Sequence, residues 1–389
     1  MSVIMHPRPS PIAAAMYTLR DLDVDVIVLH GPSGCCFRPA RLLERDGVRV
    51  VTSALLEDDF VFGSEGKLSR VLKRVDELFK PRLIGLVGSC ASMIIGEDLK
   101  KAAREAGLLD KTICCDVHSG SGDNTVGAIV VLREAMSMGL IPREEFERQK
   151  RMLEMATQLE QARGTARGEY IDTCVGDPPK EVARAILGVL ASGGKVACVL
   201  NAKKETAFLY ADVTLAICEA SRRLGGKVQV LANLDPSVGL PRVRLYSRQI
   251  LGSFSDAGVA VDAITGGIDE YPASGEKAKQ IILNSPPDLA VISGIPHAVA
   301  VERAVRTVAV SVGSRAVSNL KSLGYDYVVG ERDAHQVSLG RNKQIRRSLL
   351  GQAIREGIRA CGHLHSTGRA ASANPRWHQT LLQPWGAEG

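Results

Sequence analysis

The segment "VDVIVLHGPSGCCFRPARLLERDGVRVVTSAL", residues 24–55, decides the fold class. It contains two runs rich in Val and Ile, residues 26–29 and 48–52, without regular alternation of polar residues. Such runs are typical of strands that are buried on both faces. A helix-like stretch, residues 35–45, lies between them. One helix between two strands predicts parallel strands in a doubly wound sheet.

The same alternation of strands and helices continues to about residue 140 and resumes near residue 194. Ser10 and Pro11 open a helix before the first strand, as N-cap and first helical residue. Later helices are predicted at residues 205–224, 242–257, 275–284, 297–305 and 342–360. The count of strands exceeds one open sheet, which predicts an α/β protein of three Rossmann-like domains with mainly parallel sheets.

The predicted boundaries follow changes in composition along the chain. An N-terminal domain is predicted at residues 1–141 and a charged connecting helix at 142–168. A second domain follows at 169–268 and a third at 269–365. The tail, residues 366–389, holds Trp377 and Trp385.

Composition excludes several classes of function. Aromatic residues are only 4% of the chain and the net charge is +6, which argues against a nucleic-acid-binding surface. No stretch approaches the roughly 18 apolar residues of a membrane span. The first residues lack the layout of a signal peptide. We therefore expect a cytoplasmic protein without nucleic-acid or membrane partners.

Nine cysteines are present, at positions 35, 36, 90, 114, 115, 174, 198, 218 and 361. An odd number with two adjacent pairs argues against a disulfide framework. Cys35 and Cys36 follow the first predicted strand, Cys90 follows the third, and Cys114 and Cys115 end the fourth. Because ligands bind at the carboxyl ends of strands in open α/β sheets, these thiols are expected at one edge.

Several chemistries at this edge are disfavoured. Residues 31–34, "GPSG", are not followed by the Gly-Lys-Ser/Thr ending of a phosphate loop, and no dinucleotide fingerprint is present. Cys-X-X-Cys is absent. Zinc would find only the weak pair Cys115 and His118. A catalytic cysteine nucleophile assisted by His30 or His118 remains an alternative.

Thiolates from two loops at one edge fit half of an iron–sulfur site. A [4Fe–4S] cluster takes four thiolates, and Cys35 and Cys90 from each of two copies around a twofold axis would supply them. Cys36 is the alternative ligand to Cys35.

Three segments then resemble a known family. They are "HGPSGC", "DDFVFGSEGKL" and "GSCASMIIGEDL", at residues 30–35, 58–68 and 88–99. These segments are similar to motifs of the nitrogenase component-one superfamily, although Ser64 stands where a second glycine is usual. Over residues 6–140 the chain is most similar to members that act on a nickel tetrapyrrole in coenzyme F-430 biosynthesis.

The resemblance implies a homodimer of subunits with three Rossmann-like domains. It implies a [4Fe–4S] cluster shared between the subunits on Cys35 and Cys90, and no cysteine precedes Cys35 to hold a larger cluster. Electrons would come from an ATP-dependent reductase that resembles the nitrogenase iron protein. The substrate would be Ni-sirohydrochlorin a,c-diamide, reduced and closed to a lactam, with nickel present only as part of that substrate.

The remaining candidate residues are assigned by position. His118 follows the fourth strand and is expected to be the proton donor, because an unperturbed histidine side chain changes its charge near neutral pH. His6, Arg8 and His297 are expected to bind the substrate, His6 and Arg8 as part of the resemblance and His297 as a residue after a strand. Two alternatives are retained: a related reductase of the protochlorophyllide type, and a non-catalytic Rossmann-like scaffold protein.

Overall fold

The structure is a computed structural model that describes residues 10–64, 66–166, 171–300, 304–332 and 340–366, with side chains as far as residue 360. His6, Arg8 and the tail from residue 367 therefore lie outside the described residues. The described strands form two sheets, and every strand pairing in them is parallel.

The first sheet has the strand order β2-β1-β3-β4. Its strands are β1 Val26–Leu29, β2 Arg49–Thr52, β3 Ile84–Val87 and β4 Thr112–Cys115. Its helices are α1 Pro11–Asp21, α2 Phe37–Arg45, α3 Glu57–Phe62, α4 Lys67–Phe79, α5 Cys90–Ile94, α6 Leu99–Glu105 and α7 Asn124–Ser137. The strand order reverses between β1 and β3, and such a switch point opens a crevice at the carboxyl ends of the strands.

The second sheet has six strands in the order β10-β9-β8-β5-β6-β7. They are β5 Lys195–Asn201, β6 Lys227–Ala232, β7 Ala263–Ile264, β8 Leu289–Gly294, β9 Arg306–Val312 and β10 Tyr327–Glu331. The helices of this part are α9 Pro179–Ala191, α10 Ala207–Leu224, α11 Pro241–Asp256, α12 Tyr271–Asn284, α13 Ser314–Ser322 and α14 Leu349–Ser366. The helix α8, Arg143–Ala162, joins the two parts.

The α/β class with parallel sheets is confirmed, but the division of residues 169–365 into two sheets is wrong. β8, from the predicted third domain, pairs directly with β5, from the predicted second domain. The two groups of three strands are the halves of one doubly wound sheet of Rossmann order. The expected helix at 297–305 also differs, since the helical turn there is a short 3-10 segment, Pro296–Ala298.

Ion pairs join the part of the chain that holds the first sheet to the part that holds the second. The buried Arg242, on α11, donates to Asp23, after α1, over 3.2 Å. Lys204, after β5, lies 2.7 Å from the buried Asp21. The largest cluster of buried apolar side chains also extends across both parts, from Ile12 to Ile358. Among the described residues, no helix has the length and apolarity needed to span a membrane.

Candidate metal centre

Two turns at the switch point of the first sheet carry the cysteines, and we call this place the thiol edge. The turn after β1 closes with a hydrogen bond from Cys35 N–H to Pro32 O, 3.0 Å. Cys36 follows with φ of 50°, a left-handed conformation that is uncommon for a residue other than glycine, and α2 begins directly after it. Cys90 is the first residue of α5. All three thiols are half-buried.

A close contact holds the two turns against each other. The Ser89 hydroxyl donates a 2.6 Å hydrogen bond to the His30 carbonyl. A Cβ atom on Gly31 would lie 2.6 Å from Ser89 Oγ, so only glycine fits there without displacement of Ser89. The sequence places Cys35 and Cys90 at one edge, and this contact brings their turns together as predicted.

The adjacent thiols of Cys35 and Cys36 are unequal. The Cys36 thiol donates a hydrogen bond to the Cys35 sulfur, which lowers the pKa of Cys35 to about 7 although burial opposes the change. The same hydrogen bond, burial and the nearby charges of Cys35 and Cys90 raise the pKa of Cys36 far above its ordinary value. The proton on the Cys36 sulfur therefore favours the thiolate form of Cys35.

Polar groups from other elements also reach the thiols. The Ser10 side chain, N-cap of α1, forms a hydrogen bond with Cys36. The Ser119 backbone N–H donates to Cys90 Sγ over 3.3 Å. Because α2 and α5 also begin at this edge, the positive ends of several helices face the sulfurs, which favours anionic thiolates.

His118 lies beside this edge, in the loop after β4. Its Nδ1 accepts a 3.2 Å hydrogen bond from Gly120 N–H, so the neutral ring carries its proton on Nε2. The next residue, Ser119, is the one that contacts Cys90. The structure thus places the predicted proton donor near the predicted ligand.

His30 is fully buried, and both nitrogens of its ring face side chains other than the cysteines. Its Nδ1 lies 2.9 Å from Ser53 Oγ, and its Nε2 lies 3.8 Å from Glu97 Oε2. Burial lowers the pKa of His30 and outweighs the neighbouring Glu97. Since both ring nitrogens face Ser53 and Glu97, the ring is not arranged to activate a thiol.

Cys114 and Cys115 do not reach the thiol edge, contrary to the expectation. Both side chains are buried within β4, where Cys114 Sγ contacts Leu99 O at 3.9 Å and Cys115 Sγ contacts Ile113 O at 3.8 Å. Burial raises the pKa of Cys114 to about 12. A parallel strand directs successive side chains to its two covered faces, so these thiols pack in the core.

His297 lies at the switch point of the second sheet, between β5 and β8. It is buried, and its Nε2 is 3.5 Å from Glu160 Oε1 of α8. Lys203 Nζ approaches the same oxygen at 3.3 Å, and Tyr271 OH does so at 3.4 Å. A carboxylate of the chain itself therefore occupies this position, and Glu160 was not anticipated from the sequence.

The donor set of the thiol edge fits an iron–sulfur cluster in part. Cys35 and Cys90 supply two of the four thiolates that such a cluster takes. Within the part of the chain that the structure describes, no three Cys, His, Asp or Glu side chains form a metal site by themselves. A cluster on Cys35 and Cys90 would need two further ligands from a second chain.

The fold and the site define a class of protein. A model of the nitrogenase component 1 type oxidoreductase family matches residues 10–150, which contain the whole thiol edge. A solved structure of nitrogenase Cp1 at pH 5 covers 98% of this chain and 91% of its own at 13% identity, with a TM-score of 0.37, so the fold assignment rests on the strand orders instead.

Relatives of full length are more similar. Component CfbD of the Ni-sirohydrochlorin a,c-diamide reductive cyclase complex from Methanothermobacter thermautotrophicus is 51% identical over 358 residues, 91% of this chain and 99% of that relative. The same component from Methanosarcina acetivorans is 45% identical over 359 residues, 91% of this chain and 97% of that relative. The chain belongs to the nitrogenase component 1 family and, within it, to the CfbD components.

Proposed function

We propose that this chain is the catalytic component of a Ni-sirohydrochlorin a,c-diamide reductive cyclase and acts in coenzyme F-430 biosynthesis. The proposal is supported by the full-length similarity to CfbD components. The observation that carries it in the structure is the pairing of the Cys35 and Cys90 turns through Ser89 and Gly31. Electrons would come from a separate ATP-dependent reductase, in agreement with the missing phosphate loop of this chain.

Cys35 and Cys90 would hold one half of a [4Fe–4S] cluster, with the same pair from a second copy completing it. The cluster, when bound, supplies single electrons at low potential. The acidity of Cys35 favours it over Cys36 as the ligand, because a metal binds the thiolate. Cys36 would then remain a hydrogen-bond donor to the ligating sulfur.

The surface around the thiols supports a homodimer. Exposed apolar side chains are carried by α2, α3 and α5, each of which follows the carboxyl end of a strand of the first sheet. They are Phe37, Phe60, Val61, Phe62, Met93 and Ile94, with exposures from 41% for Phe60 to 84% for Phe62. Apolar side chains grouped at one edge are typical of a surface that another protein covers. A second copy would bury them and complete the ligand set at once.

His118 is proposed as the proton donor of the reaction. A histidine that donates a proton near neutral pH must be the imidazolium ion, so the hydrogen bond from Gly120 N–H to Nδ1 would be released when the ring takes up the proton that it transfers. For the substrate, His6 and Arg8 remain proposed contacts. His297 is a weaker candidate, because Glu160 already pairs with it.

The test is anaerobic purification of variants that each remove one thiol. Cys35→Ala and Cys90→Ala are expected to lose the cluster absorbance and the iron, whereas the unchanged protein should hold about four irons per dimer. Cys114→Ala is the matched control, since this thiol is buried in β4, and it should retain the iron. Cys36→Ala should retain it also. Full iron content in both Cys35→Ala and Cys90→Ala would end the proposal.

The substrate is tested separately, with purified reductase partner, ATP and the nickel tetrapyrrole. Turnover of Ni-sirohydrochlorin a,c-diamide is expected. Turnover of protochlorophyllide instead would identify a related reductase. A colourless, iron-free protein without turnover would identify a scaffold protein.

A further inference from the structure

One contact at the thiol edge does not involve a side chain of the predicted site. The Ser119 backbone N–H, in the loop after β4, donates to the sulfur of Cys90, in the turn after β3, over 3.3 Å. An N–H donor to a thiolate ligand partly neutralises the charge on that sulfur. Hydrogen bonds to the sulfurs are among the factors that set the reduction potential of an iron–sulfur cluster.

The loop that presents this N–H is held by its own hydrogen bonds. Ser121 Oγ accepts from His118 N–H at 3.1 Å, and His118 O accepts from Ser121 N–H at 3.0 Å. His118 Nδ1 accepts from Gly120 N–H at 3.2 Å. The N–H groups of residues 118, 120 and 121 are therefore used within the loop, and that of Ser119 is directed at Cys90.

We propose that the Ser119 amide is a positioning group that raises the reduction potential of a cluster bound to Cys90. This inference rests on the proposed function. Reduction adds negative charge to the cluster and its sulfurs, so a hydrogen bond from an N–H group stabilises the reduced form more than the oxidised form. Removal of this donor should make the cluster harder to reduce. The Ser119 hydroxyl should not affect the potential, because the hydrogen bond to Cys90 Sγ comes from the backbone N–H.

The experiment compares two proteins that differ in the backbone group at position 119, an N–H in one and an ester oxygen in the other. Ser119→Ala keeps the N–H, and the second protein carries lactic acid at position 119, the ester counterpart of alanine, in which an oxygen replaces the N–H. The midpoint potential of the bound cluster is measured in both by redox titration followed by EPR spectroscopy. We expect the ester protein to have the lower potential, by roughly a threefold to tenfold change in the ratio of reduced to oxidised cluster, the size of one net hydrogen bond. Ser119→Ala should match the unchanged protein.

Equal potentials in the ester protein and Ser119→Ala would overturn the inference while leaving the proposed function intact. If the unchanged protein binds no iron, both the proposed function and this inference fail. A second variant guards against an ester protein that does not fold. Ser121→Ala removes the acceptor of His118 N–H, and it should lower the potential by a smaller amount with unchanged iron content. An unchanged potential in this variant would also count against the inference.

Discussion

Cys35 and Cys36 are neighbours in the chain, yet their thiols behave oppositely. The hydrogen bond from Cys36 to Cys35 lowers the pKa of one thiol and raises that of the other. The sequence alone does not show which of two adjacent cysteines has the lower thiol pKa. The separation follows from the surroundings of the Cys36 thiol, which forms hydrogen bonds with Cys35 and Ser10 and feels the charge of Cys90.

His118 provides a prediction at the same scale. His118→Ala should reduce tetrapyrrole turnover by at least about a hundredfold, the usual contribution of a general acid, while iron content stays unchanged. The assay is turnover with the reductase partner and ATP, together with iron analysis.

The matched control for His118→Ala is His118→Asn. The asparagine side-chain oxygen can replace Nδ1 as the acceptor of Gly120 N–H, but the amide cannot donate an acidic proton. Loss of turnover in both variants supports the acid role. Full turnover in His118→Asn would show that the ring only shapes the loop.

Residue types with a local role could be predicted from the sequence. Ser10 was expected as the N-cap of α1, and its Oγ accepts from Ala13 N–H at 3.3 Å. Ser89 and Ser119 were missed because their roles depend on a turn and a sulfur that are distant in the chain. For Ser119 no sequence signal exists, since every residue except proline has a backbone N–H.

At the scale of elements, the long helix α8 was predicted, but its partner was not. Glu160, near the end of α8, accepts a hydrogen bond from Lys203 and lies 3.5 Å from His297 Nε2 at the edge of the second sheet. Burial would raise the pKa of Glu160, and the hydrogen bond and charge from His297, with those of Lys203, hold it well below its ordinary value. This carboxylate therefore stabilises the contact of α8 with the second sheet.

Glu160→Gln should lower the free energy of unfolding by about 1 kcal/mol at pH 7, because it leaves the partly exposed Lys203 ammonium without its charged partner. A depressed pKa means that the stabilisation is complete above the ordinary value near 4.5 and is lost as the pH falls below it. The difference between the variant and the unchanged protein should therefore shrink below about pH 4.5. Chemical denaturation across a pH series measures it.

Glu77→Gln is the control for this series. Glu77 forms an exposed pair with Arg74 at 3.0 Å, with both side chains more than 60% exposed. An exposed pair of this kind contributes little, so the variant should differ from the unchanged protein by less than about 0.5 kcal/mol. A pH-independent difference for Glu160→Gln would contradict the assigned ion pair.

At the scale of the whole molecule, the proposed dimer makes the strongest prediction. Ile94, on α5, is 69% exposed beside Cys90. Ile94→Asp should weaken dimerisation by about 30-fold or more and reduce bound iron, because a charge would be buried in the interface. The measurements are analytical ultracentrifugation and iron analysis. The far-UV circular dichroism should not change.

Val175→Asp is the control for the dimer. Val175 is 90% exposed in the segment before α9, outside the thiol edge, so this variant should remain dimeric and keep its iron. An Ile94→Asp protein that is dimeric with full iron would place the interface elsewhere.

The sequence by itself determined the parallel α/β class and the placement of the two cysteine-bearing turns, after β1 and β3, at one edge of the sheet. Both follow from local patterns, since apolar runs mark buried strands and parallel strands end on the same side of a sheet. Only the tertiary structure decided that residues 195–331 form one six-stranded sheet, that Cys114 and Cys115 are buried, and that His297 pairs with Glu160. Those outcomes depend on which distant segments come into contact, and such contacts produce no periodic pattern of apolar residues in the local sequence.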